Sequence, residues 1–212
     1  MDKTTIACIG DSITWGFTIL RRNRCSYPAV LQALLGGNYE VHNFGYNDST
    51  ARMDSEVPYI RKGVFAKACR LHPDIAIIML GSNDTKRINW DPDKFRLGYT
   101  TIVNTFIEMG SSIYLMLPPK VLNRIEIKDG VVVNRYDLNV LALNDDTLND
   151  GVIPIIREVA AAKQLPIIDI NSQMHDIRLF NDGIHPNKEG AEVMARYIYD
   201  SILPDLTRNA SH

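Results

Sequence analysis

Ile75-Ala-Ile-Ile-Met-Leu80 is an unbroken apolar run closed by Gly81. A strand with one face in water alternates apolar and polar residues. A run with no polar member fits a parallel strand covered on both faces. That requirement constrains the chain most, because layers of helix must then lie above and below a sheet. Ile6-Ala-Cys-Ile-Gly10 reads as a similar buried strand, and so does Ile113-Tyr-Leu-Met-Leu117, which is stopped by Pro118-Pro119. Tyr39 to Phe44 and Ile167 to Ile170 add two more strands.

Helical spacing fills the intervals. Ser26 is a cap and Pro28 a first-turn residue for a helix stopped by Gly36-Gly37. Glu56 to Leu71 predicts a helix ended by His72-Pro73, and Phe95 to Met109 another. Thr147 to Lys163 reads as helix, with Pro154 either a kink or a split into two helices. Asn187 caps a last helix to Leu203, and the tail after Asp205 is expected to fray. Strands alternating with helices predict an α/β fold, a three-layer α/β/α sandwich around a central parallel sheet. The 212 residues show no internal repeat or linker, so residues 1–212 read as one domain. The pattern breaks once, at about residues 120–136. There Ile125-Glu-Ile-Lys and Val131-Val-Val flank Asp129-Gly130, a two-residue hairpin turn. This excursion reads equally as a solvated projection, a lid, or a subunit contact in a homo-oligomer.

A net charge of −2 supplies no basic field to draw the chain to nucleic acid or an anionic membrane. No apolar run reaches bilayer-spanning length. No long apolar region precedes Ile6, so no signal peptide is expected and the chain reads as cytoplasmic. A trimmed leader would make it secreted or periplasmic. Cys8, Cys25 and Cys69 are odd in number and lack metal-type spacing, which argues against a disulfide framework or a metal site. No cofactor is called for.

The strand ends carry the chemistry. Gly10-Asp11-Ser12 follows the first strand, Gly45 the second, and Gly81-Ser-Asn83-Asp84 the third. In a parallel sheet these ends share one edge, where open α/β folds place ligands. Gly-Asp-Ser alone is only a turn. A serine becomes a nucleophile when a base takes its proton, and the histidines are His42, His72, His175, His185 and His212. His185 stands out in Asp182-Gly-Ile-His-Pro186, because Asp182 can bond one imidazole nitrogen and leave the other for Ser12. An oxyanion formed on attack needs donors already aimed at it. The N–H of Ser12, the N–H of Gly45 and the side-chain amide of Asn83 are the candidates.

These blocks, with Ile13-Thr-Trp-Gly16 and Asn43-Phe-Gly45, resemble the SGNH hydrolases, also called the GDSL esterase/lipase family, over nearly the whole chain. The resemblance implies a flavodoxin-like three-layer fold, Ser12 as nucleophile, His185 as base and Asp182 as its partner. It also implies an oxyanion hole from Ser12, Gly45 and Asn83. The family's second block often has a further glycine before a threonine, where this chain has Ser49-Thr50. Gly81 to Trp90 is similar to the carbohydrate O-acetylesterase members, labelled sialate or acetylxylan esterases. That implies a small-molecule ester substrate, an acetylated sugar. Asp11, Trp15, Tyr46 and Trp90 are candidate substrate contacts, although core packing suits each aromatic equally. Arg21, Arg22 and Arg24 are either a solvated run or a site for a substrate carboxylate. A thioesterase, lysophospholipase or arylesterase is the alternative within the family, and a non-catalytic binding module is the alternative outside it.

Overall fold

The computed structural model describes residues 3–122, 125–128, 131–134 and 142–209. The strands are β1 (Thr4–Gly10), β2 (Tyr39–Gly45), β3 (Ile75–Met79), β4 (Ser112–Leu117), β5 (Ile125–Lys128), β6 (Val131–Asn134) and β7 (Ile167–Asp169). The helices are α1 (Ser12–Trp15), α2 (Arg22–Cys25), α3 (Tyr27–Leu35), α4 (Gly63–Leu71), α5 (Pro92–Glu108), α6 (Asp145–Thr147), α7 (Ile153–Lys163), α8 (Ile170–Gln173) and α9 (Lys188–Asn209). One parallel sheet runs in the order β2-β1-β3-β4-β7.

Side chains divide by parity along the strands, as the period of 2 requires. Ala7 and Ile9, Ala76 and Ile78, and Ile113 and Leu115 pack on Phe95, Tyr99 and Phe106 of α5 and Ile156 and Val159 of α7. Ile6 and Cys8, Ile75 and Ile77, and Tyr114 and Met116 pack on Tyr27 and Leu31 of α3 and Met194, Ile198 and Ile202 of α9. The result is the three-layer α/β/α architecture. Each fully buried large aliphatic or aromatic side chain stabilises it by about 1.5–3 kcal/mol. From β1 the chain moves outward to β2, then returns past β1 to β3 on its other side. Crossovers diverge there, and a crevice opens at the carboxyl ends of β1 and β3.

Several elements differ from the sequence expectation. The helix expected from Glu56 begins only at Gly63, after a single 3₁₀ turn at Tyr59–Arg61. Backbone bonds from Thr50 N–H to the Val57 carbonyl (3.0 Å) and from Tyr59 N–H to the Thr50 carbonyl (2.9 Å) commit this stretch to the neighbouring loop. Between α6 and α7 lies a π-helical turn, Leu148–Val152, so the helix changes winding immediately before Pro154. A wider turn there accommodates a residue with no N–H to donate. α9 does not fray at Asp205 but runs to Asn209 through Pro204. The Tyr114 hydroxyl donates to Asp205 Oδ2 at 2.6 Å, and Leu206 is buried, so packing holds these turns in place.

Among the described residues β5 and β6 pair only with each other, antiparallel, with Lys128 opposite Val131. The expected turn at Asp129-Gly130 lies outside the described residues. At the amino edge of the main sheet, opposite the crevice, Thr4, Asp74, Ser112, Asp205 and Leu206 line an open cleft of about 650 Å³. No described helix is long and apolar enough to cross a membrane.

Candidate active site

β1 ends at Gly10, and the chain turns at once into α1. Asp11 caps that helix, its Oδ1 accepting from the Ile13 N–H at 2.9 Å. Ser12 is therefore the first helical residue, a position whose N–H has no intrahelical acceptor. Its Oγ lies 2.9 Å from His185 Nε2. His185 comes from the loop before α9. In that loop Asp182 Oδ1 accepts the N–H groups of Ile184 (3.0 Å) and His185 (2.7 Å). Gly183 completes the turn at φ 82°, where a Cβ would lie 1.6 Å from the Leu122 carbonyl oxygen. Asp182 Oδ2 is 2.7 Å from His185 Nδ1. A carboxylate only accepts, so Nδ1 carries the proton and Nε2 is left to accept from Ser12. Burial alone would raise the Asp182 pKa. The hydrogen bonds and charge of His185 overcome that and hold the carboxyl below the ordinary range. Phe17 covers the imidazole, with ring centroids 4.8 Å apart.

Ser12, His185, Asn83, Asp48, Phe17 and Leu143 line a cavity of about 60 Å³. Asn83 opens a 3₁₀ turn after β3, and its Nδ2 donates to the Ser49 carbonyl at 3.2 Å. An amide nitrogen carries two hydrogens, so a second donor remains.

Gly45 does not supply the donor expected of it. Its N–H is turned to Asn43 Oδ1 at 2.9 Å. The missing side chain serves packing instead, since a Cβ at Gly45 would lie 2.1 Å from the Trp15 backbone nitrogen in α1. Asn47 and Asp48 are the residues of this loop that reach the cavity, Asp48 at φ 59°. The Ser49 N–H closes a turn onto the Tyr46 carbonyl at 3.3 Å, and Asp48 takes the third position, where positive φ belongs to a type II turn. Neither the Ser12 N–H nor the Asp48 N–H donates to a group among the described residues. Asn47-Asp48 is legible as a turn. Nothing in the residue types says that its backbone faces Ser12.

None of the candidate substrate contacts lines the small cavity. Asp11 is buried, with 1% of its surface exposed, and acts as the cap of α1. Burial pushes its carboxyl up to about 6, against the opposing effects of the Ile13 N–H, His185 and the Ser82 hydroxyl. Asp84 beneath the site accepts from the N–H groups of Ala51 (3.0 Å) and Arg52 (2.9 Å), and burial pushes it up to about 7. Trp15 lines a neighbouring open cleft of about 610 Å³ with Phe17 and Arg22, and the Arg22 guanidinium sits 3.7 Å from its ring centroid. Arg22 thus occupies a face that a sugar would need. Trp90 lines a second cleft of about 450 Å³ with Thr85, Arg87 and Leu143. Tyr46 is 40% exposed, with Lys62 Nζ 5.4 Å from its ring centroid, and does not line the cavity. Among the described residues no group of three His, Cys, Asp or Glu side chains converges as a metal-ligand set.

Residues 8–193 match the model of the GDSL-like lipase/acylhydrolase family. The chain belongs to this family. An acetylxylan esterase of Xylanibacter ruminicola is 33% identical over 211 residues, covering 95% of this chain and 43% of that protein. The chain thus spans less than half the length of this relative. Among solved structures, an aryl esterase of M. smegmatis aligns with a TM-score of 0.72 at 19% identity, over 95% of this chain and 99% of that one. A carbohydrate acetylesterase from Sinorhizobium meliloti aligns with the same TM-score, identity and coverage, 0.72, 19%, 95% and 99%. At these identities the likeness carries the fold, the SGNH α/β architecture.

Proposed function

We propose that this chain is a serine esterase that removes acetyl or other short acyl groups from a carbohydrate. The observation that carries the reading is the line from Ser12 Oγ through His185 to Asp182, at 2.9 and 2.7 Å, beside a small cavity. Ser12 Oγ attacks the ester carbonyl while His185 Nε2 takes its proton. The tetrahedral oxyanion receives the Ser12 N–H, the Asp48 N–H and Asn83 Nδ2. The C–O bond to the sugar breaks, His185 returns the proton to the leaving alkoxide, and an acyl-serine remains. Water, deprotonated by the same nitrogen, then releases the acid and restores Ser12. Asp182 keeps the imidazole in the required tautomer and stabilises its protonated form.

Acyl size follows from the cavity. About 60 Å³ suits a two-carbon acyl group, and sites that enclose larger ligands run to about 300–1,000 Å³. The open clefts on either side, reached past Phe17 and past Leu143, leave room for a bulky alcohol. The likeness to an acetylxylan esterase and to a carbohydrate acetylesterase favours a sugar.

The test is acetate release from a panel of acetylated saccharides, with an acyl-length series of activated esters alongside. Wild type should favour acetyl, falling steeply beyond about four carbons. Ser12→Ala and His185→Ala should lose on the order of 10⁴–10⁶ in kcat, and Asn83→Ala about 10²–10³. Undiminished acetate release by Ser12→Ala would remove the nucleophile from this reading. A preference for long acyl chains would replace the acetylesterase with the lysophospholipase or thioesterase alternative.

A further inference from the structure

We propose that Lys86 is a positioning residue for this reaction, acting through Asp48 to neutralise a carboxylate that would otherwise stand beside the forming oxyanion. The inference rests on the esterase reading above, with the Asp48 N–H as an oxyanion donor.

A donor at that turn position needs positive φ, and Asp48 adopts φ 59°. Glycine reaches such angles freely, and aspartate is among the few other residues that tolerate them. Using aspartate has an electrostatic consequence that glycine would not. The N–H proposed as a donor belongs to a residue that lines the cavity and carries a negative charge one side chain away. A developing oxyanion and a fixed carboxylate a few ångströms away repel. The structure places a cation on that carboxylate, with Lys86 Nζ 3.0 Å from Asp48 Oδ1.

Lys86 is not a loose surface partner. Its side chain is 18% exposed, against 61% for Asp48. It follows directly on the 3₁₀ turn Asn83–Thr85, so the chain segment that supplies the Asn83 amide also supplies the cation. The two donor-bearing loops are tied independently of this pair. Asn83 Nδ2 reaches the Ser49 carbonyl at 3.2 Å, and Asp84 takes the Ala51 and Arg52 N–H groups at 3.0 and 2.9 Å. Loop geometry is therefore maintained without Lys86, and what the lysine adds is charge. Its field also reaches the buried Asp11 carboxyl at the base of α1.

A double-mutant cycle on an activated acetyl ester tests this. Lys86→Met keeps the aliphatic stem and removes the charge. Its kcat should fall roughly ten- to a hundredfold, with KM within about threefold of wild type. Lys86→Arg should retain most of the activity. The decisive variant adds Asp48→Asn to Lys86→Met, which keeps the backbone donor and the positive φ but leaves no charge to neutralise. Its kcat should match that of Asp48→Asn alone within about threefold and exceed that of Lys86→Met. If the double variant stays as slow as Lys86→Met, the lysine is a tether or a substrate contact, and the electrostatic role is overturned. An unaltered kcat in Lys86→Met overturns it too. Lys86→Gln takes the place of Lys86→Met if circular dichroism shows the latter misfolded. A wild type that is inactive, or no faster than Ser12→Ala, instead refutes the esterase reading, so the two failures are distinguishable.

Discussion

Gly45 does not play the role that its residue type suggests. A glycine at a strand end invites the reading that its bare backbone approaches a ligand. Here the bare backbone approaches α1, and a Cβ would meet the Trp15 nitrogen at 2.1 Å. Gly45→Ala should therefore act through the fold. The clash is with backbone and cannot be relieved by a rotamer, so α1 and Ser12 must shift. The expected loss is at least about 1–3 kcal/mol, the usual cost of overpacking, together with a fall in kcat. Urea unfolding monitored alongside activity checks it, and a variant of unchanged stability would show that the contact is unimportant. That Ser12, Asn83, Asp182 and His185 gather at one place is legible because each lies in a short, distinctive block and meets the others through its side chain or the cavity between them. Asp48 is not legible, because the role proposed for it rests on an N–H, and residue type does not report where an N–H points. Phe17 carried no signal either. An aromatic after a turn has many possible neighbours, and only the assembled fold sets it against His185.

At the scale of elements, apolar patterning located the strands and α3, because continuous runs and a Ser-Pro start admit few other structures. What it missed depended on distant partners. The chain before α4 is held out of the helix by Thr50, and the last turns of α9 are held in by Tyr114. Two buried carboxylates also serve as element ends, Asp11 capping α1 and Asp84 anchoring residues 51–52. Both are raised from the ordinary 3.8, to about 6 and about 7. In each case the folded state holds its proton more tightly than the unfolded chain. Their contribution to stability is therefore complete below about pH 4 and is lost as pH rises through about 6 to 7. Asp182, with a lowered pKa, acts in the opposite sense, contributing above the ordinary carboxylate range and losing that contribution as pH falls below it. Melting temperature should consequently decline between pH 5 and 8. Asp11→Asn, which keeps an oxygen for the Ile13 N–H, should flatten that decline. An unchanged slope in this variant would remove Asp11 as a source of the pH dependence.

For the whole molecule, the parallel sheet sorts the chain into two edges. Every loop that reaches Ser12 leaves the carboxyl edge, and the strands all start from the other. The architecture was readable from the alternation of strands and helices, whereas the order β2-β1-β3-β4-β7 was not. Patterning marks which residues are buried, not which strand lies beside which, and the crevice by Ser12 depends on that order. Thr4 and Leu206, just over two hundred positions apart, line the same cleft on the starting edge. The domain can thus be held by either end as if by a handle, with its working surface turned outward. A relative more than twice as long is compatible with such an arrangement, because added modules attached at either end would emerge behind the catalytic edge. A folded partner fused before Thr4 or after Asn209 should leave kcat/KM for a small acetyl ester within about twofold of the unfused chain. A large drop with either fusion would mean that the handle and the working surface are not separate. If they are separate, tethers to a polymer or to a companion enzyme can be exchanged without redesign of the site.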